Sequence, residues 1–64
     1  MVKLIIDDLV YVTRLEMMLK LANIDFEVEY EERSIGIPKP YLRVNGVPLD
    51  LRRATTWIKE HSNL

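Results

Sequence analysis

The 64-residue sequence contains no cysteine. That absence removes the disulfide as a staple, the thiolate as a nucleophile and sulfur as a metal ligand, and it excludes thiol redox chemistry. A chain this small must then be held by its packing or by a partner subunit. Histidine occurs once, as His61, which cannot assemble a zinc site or a triad alone. Near the end of a helical pattern it is better suited to offset the negative end of the helix dipole. An excess of one charge is also missing: nine basic residues face ten acidic ones, for a formal charge of -1. Phosphate-dominated binding needs a basic surplus, so nucleic acid is not an expected partner. No apolar run approaches the ~20 residues that span a bilayer, and the N-terminus lacks the regions of a signal peptide. No membrane partner is expected, and the cytoplasm is the expected compartment. Without repeats, linkers or low-complexity segments, residues 1–64 read as a single domain that buries only about 60% of its unfolded surface.

What is present alternates between strand and helix patterns. Val2-Lys3-Leu4-Ile5-Ile6 is β-branched and aliphatic and reads as a central strand. Asp7 or Asp8 can cap the helix that follows, from about Leu9 to Ala22, whose inward face carries Tyr11, Leu15, Met18, Leu19 and Ala22. A neighbouring flank of Val10, Met17 and Leu21 widens the apolar stripe. A deeply covered helix is the commoner origin of such width; a second apolar seam for a partner is the alternative. Asn23 suits a left-handed helix stop. Asp25 to Glu31 then alternates strictly, with Phe26, Val28 and Tyr30 on a buried face and Glu27, Glu29 and Glu31 on a wet one. A solvated face explains these acids more cheaply than a catalytic pair.

The clearest local signal lies further on. Pro40-Tyr41-Leu42-Arg43-Val44-Asn45-Gly46-Val47-Pro48-Leu49 reads as a hairpin across an Asn-Gly turn, with Val44 opposite Val47 and Leu42 opposite Leu49. Pro48 cannot donate to a ladder, which places its strand at the sheet edge. Asp50 or a neighbour then caps a second helix to about Ser62, with Leu51, Ala54, Trp57 and Ile58 turned inward. The two adjacent arginines, Arg52 and Arg53, coat its outer side, and Asp50 offers Arg53 a surface ion pair.

This order, with its proline before the hairpin, resembles the thioredoxin-like fold in its glutaredoxin form and in the N-terminal domain of glutathione S-transferases. Pro40 to Gly46 is similar to the glutaredoxin pattern of a cis-proline, four strand residues and Asn-Gly, and Ile24-Asp25-Phe26-Glu27 to the start of the family's second strand. The resemblance implies a cis Pro40 and a ligand groove formed by Tyr11, Lys39 and Pro40, in which the Lys39 backbone would pair with a peptide-like ligand. The family's Cys-x-x-Cys falls on Leu9-Val10-Tyr11-Val12, so both sulfurs are replaced. The residues that hold glutathione's amino end correspond to Asp50-Leu51 and Arg53-Ala54, and no specific glutathione site is expected. Tyr11 is the only hydroxyl that could serve a transferase, and its helical phase points to the core instead. The segment from Glu32 to Lys39 is too short for the helix that usually precedes the cis-proline.

The fold expected is therefore α/β: a minimal thioredoxin-like β-α-β-β-β-α domain, its four-stranded mixed sheet carrying both helices on one face. Lys3, Glu27, Glu29, Tyr41, Arg43 and Pro48 would occupy the uncovered face, where Ile5 and Tyr41 are apolar exceptions suited to docking. The function expected is a redox-inactive, glutaredoxin-like interaction or dimerisation module, with no catalysis, cofactor or metal and with a protein partner or a second copy. Its interface residues would be Val10, Met17, Leu21, Ile5 and Tyr41. The alternative is a small-ligand module that binds a glutathione-like or peptide backbone in the cis-proline groove.

Overall fold

The structure, a computed structural model, describes residues 1–8, 11–32, 36 and 38–63. The six elements follow the expected order: β1 (Val2–Ile6), α1 (Thr13–Leu21), β2 (Glu27–Tyr30), β3 (Leu42–Val44), β4 (Val47–Leu49) and α2 (Leu51–Glu60). The sheet runs β2-β1-β3-β4, with β1 parallel to β2 and the other neighbours antiparallel. The apolar strand β1 is thus central, as its composition requires. No helix occurs among the described residues of the connection from β2 to β3.

The hairpin follows the sequence closely. Asn45 and Gly46 both take positive φ, 49° and 84°, the pair of conformations a two-residue turn needs to match the twist of its strands. The register puts Val44 opposite Val47 and Leu42 opposite Leu49. Pro48 lies on an edge strand, where its missing N–H leaves the sheet interior intact. One helix stop and one helix start are also readable. Asn23 adopts φ 57°, and the Ile24 amide reaches back to the Leu19 carbonyl at 3.0 Å, closing α1 in a left-handed stop. At the start of α2 the Asp50 carboxylate accepts the Arg53 amide at 2.8 Å. That carboxylate takes the backbone of Arg53 rather than the surface ion pair expected with its guanidinium. At the far end His61 stacks on Trp57, with ring centroids 4.4 Å apart.

The start of α1 departs from expectation. Its N-cap is Val12, with no side-chain cap, in place of Asp7 or Asp8, and Tyr11 precedes the helix instead of lying on its inner face. An aromatic residue followed by β-branched Val12 and Thr13 is a poor helix opening, and the helix begins only where Leu15 and Glu16 can donate to the Val12 carbonyl. Leu9 and Val10 lie outside the described residues.

The core joins Leu4 of β1, Leu42 of β3, Leu15 and Leu19 of α1, and Ala54 and Ile58 of α2, with Ala22 and Ile24 closing one end. Both helices therefore pack on the same face of the sheet. No residue of β2 or β4 is buried. Val28 and Tyr30, expected inside, are 50% and 55% exposed, and Leu51 at the start of α2 is also exposed. The cover fully buries residues of the two middle strands only; of the outer pair, β4 packs Leu49 against the core without burying it. A core this small makes each member matter. Leu19→Ala should destabilise the fold by about 2–5 kcal/mol, much of the total a small domain has, whereas Arg14→Ala on the exposed side of α1 should stay within about 0.5 kcal/mol. Urea unfolding of the two variants checks the contrast.

Candidate functional site

On the face away from the helices, charged side chains meet across three strands. The β1–β2 register sets Lys3 beside Glu27 and Ile5 beside Glu29, and the β1–β3 register sets Lys3 beside Arg43. Lys3 Nζ lies 3.9 Å from Glu29 and the Arg43 guanidinium 3.7 Å from the same carboxylate. Arg43 also donates to Glu31. Cross-strand neutralisation, expected from the strand patterns, is thus present. One Glu29 oxygen is enclosed without a hydrogen bond, so its nearest cations hold it by charge alone.

That same cluster removes one proposed docking residue. Ile5, expected to be an exposed apolar exception, is only 4% exposed. Its amide donates to the Tyr41 carbonyl at 3.0 Å, and Tyr41 on one side and Glu29 on the other lie across the strand from it. Long neighbours on a pleated face shield a short one without any helix above. Tyr41 is itself half-buried against the core.

The proposed ligand groove fares differently at each residue. Tyr11 is exposed, and its hydroxyl donates to the Glu16 carboxylate at 2.7 Å. That hydrogen bond, with smaller effects of desolvation and of the Glu16 charge, holds the phenol above its ordinary value of 10.0. The hydroxyl is thus engaged by the first turn of α1 and does not meet Lys39 or Pro40 in any hydrogen bond among the described residues. Lys39 and Pro40 are half-buried. The Lys39–Pro40 peptide is trans, so the expected cis-proline is not formed. A trans bond is the lower-energy isomer by roughly 0.5–1 kcal/mol, and the strand entered from Pro40 is already extended: Tyr41 donates to the Leu49 carbonyl and accepts from Ile5, both at 3.0 Å.

The proposed apolar flank is open where it is described. Met17 and Leu21 are 55% and 69% exposed; Val10 is outside the described residues. Beside them an apolar groove of about 340 Å³ runs between the helices, lined by Met18, Leu21, Ala22, Ile58, Lys59 and Ser62. A second, more polar groove borders Arg52, Arg53, Thr56 and Trp57. Reading the sequence by faces missed this inter-helix groove, because the crossing of two helix ends has no signature in either helix alone. Among the described residues no group of histidine and carboxylate side chains could hold a metal ion, and no helix is long and apolar enough to cross a membrane.

The architecture is a small α/β fold, a four-stranded mixed sheet with two helices, compatible with a thioredoxin-like fold. Comparison of the chain with protein-family models, with curated proteins and with solved structures found no match.

Two tyrosines report on the local electrostatics. A hydrogen bond to Asp8 likewise raises Tyr30. A raised phenol favours the folded state while the pH is below the unfolded value, and that contribution is lost as the pH climbs through the folded value. Glu16→Gln should move the Tyr11 titration down toward 10.0, and Asp8→Asn should do the same for Tyr30; ring-proton NMR titration resolves the two.

Proposed function

We propose that this chain is a redox-inactive protein of the glutaredoxin-like branch of the thioredoxin-like fold, acting in the cytoplasm as a non-catalytic interaction and dimerisation module. Support for the family comes from the order of elements, the strand order and the proline-led hairpin, with Leu9 and Val12 standing where the family carries its cysteines. A cysteine-free chain also suits a reducing compartment.

The observation that carries the reading is the exposed pair Met17 and Leu21, one helical turn apart beside the apolar inter-helix groove. Exposed large apolar side chains clustered next to a groove mark association surfaces more often than scattered ones do. A two-fold arrangement of α1 against α1 would seat Leu21 of each copy near Met17 of the other, and the Met side chain adapts readily to such a seam. The Lys20–Glu16 pair, at 3.8 Å, would flank it with opposite charges.

Sedimentation should find a dimer or larger species at micromolar concentration, and Leu21→Glu should return it to monomer with its unfolding transition retained. A clean monomer of high stability would count against the module. The small-ligand alternative is addressed by titrating glutathione while following amide shifts: the expected outcome is no saturable response from Lys39 to Tyr41. A saturable one would favour that groove instead.

A further inference from the structure

The two edges of the sheet are unequal. β4 carries Pro48 in the middle of its three residues, a device that blunts strand addition. β2 has no proline, and no described strand pairs with its outer side. The direction of its backbone follows from one bond: the Glu31 amide donates inward to the Ile6 carbonyl at 2.9 Å. Alternation along the strand then turns Glu27 and Glu29 inward as well, and aims the N–H and C=O groups of Val28 and Tyr30 outward. The side chains of those same two residues are half-exposed on the helix side, and Glu27 is exposed on the opposite side without an ion pair among the described residues.

We propose that the outer edge of β2 accepts, as a fifth strand, an extended segment of a partner protein in which basic residues alternate with apolar ones. This rests on the reading of the chain as an interaction module and names the chemistry of a partner. Charge complementarity decides the occupant. If a second copy paired antiparallel here with its helices on the same side, every register would set glutamate opposite glutamate, and like charges directly opposite destabilise a sheet. A basic, apolar alternation reverses that sign. The fold already contains such a match on the inner side of β2: Val2-Lys3-Leu4 sets Lys3 opposite Glu27 and within ion-pair distance of Glu29, with its apolar neighbours toward the core. A partner strand would repeat the pattern on the outer side, its backbone pairing with Val28 and Tyr30 and its cations meeting Glu27 and Glu29.

The test uses the intact chain and a short capped peptide alternating valine and lysine, followed by amide NMR. The expected result is saturable shifts confined to residues 26–32, slower hydrogen exchange at Val28 and Tyr30, and affinity that falls with salt. Glu27→Lys should weaken binding roughly two- to tenfold. Val28→Pro, which removes an outward donor but no inner ladder bond, should abolish it. Should Val28→Pro fail to fold, Glu27→Lys and a valine-glutamate peptide still decide, since the latter should not bind. Equal response to both peptides, shifts centred on Met17 and Leu21, or no saturable response at millimolar peptide would overturn the edge proposal. A dimer dissociated by Leu21→Glu together with a silent β2 overturns the edge proposal alone; a monomer that responds at β2 supports it and sinks only the dimer.

Discussion

Two short helices must cover four strands, and most of the molecule's surface follows from how far that cover extends. Packed helices stand about 9 Å apart, so a pair centred on a sheet has its axes roughly 4–5 Å from the midline. Strands are spaced at about 4.8 Å, which puts the middle two within those axes and the outer two about 7 Å out. β1 and β3 therefore supply Leu4 and Leu42 to the core, while β2 and β4 supply no buried residue. With helices of nine and ten residues, nothing longer reaches over the margins. Val28, Tyr30 and Val47 are left at the rim by geometry, although their strands alternate as buried strands do.

The bare face meets the same shortage in another way. Without a third layer it relies on its own side chains for cover, and charged ones are long enough to provide it. Lys3 and Arg43 reach across strands to Glu29 and Glu31 and neutralise them, and Ile5, whose strand neighbours are Glu29 and Tyr41, is buried on this same sheet. Exposed pairs of this kind contribute little free energy singly, about 0–1 kcal/mol. The central strand is thus covered twice, by leucines and helices on one side and by a layer of ions on the other.

Much of this was legible in the residues because it is local. The Asn45-Gly46 turn fixes its own register, Asp50 caps the helix that begins beside it, and Asn23 stops α1 in the conformation its side chain tolerates. The charge pattern of β1, β2 and β3 was equally readable, since strand order and alternation together place each ion. What could not be read depends on distance and extent. Alternation in β2 says which side chains share a face; it does not say whether a helix reaches them. Helical phase put Tyr11 inside, but the helix starts two residues later and the phase loses its meaning. The resemblance implied a cis peptide before Pro40, yet the backbone partners of Tyr41, the next residue, are satisfied by an extended trans approach.

The same margin links the fold to its use. The chain has no cysteine, and the Tyr11 hydroxyl is engaged as a hydrogen-bond donor to the Glu16 carboxylate. The described residues present two distinct margins. One is the apolar flank of α1, with Met17 and Leu21 beside the inter-helix groove. The other is the β2 edge, where outward backbone groups lie between apolar and acidic side chains. Their chemistries differ, and so would the partners they admit: an apolar flank would meet a like flank without charge repulsion, whereas the acidic strand would set glutamates against those of its own copy. A protein that paired through the first and recruited a basic strand through the second would carry two partner segments per dimer, one on each β2, with no surface asked to serve both roles.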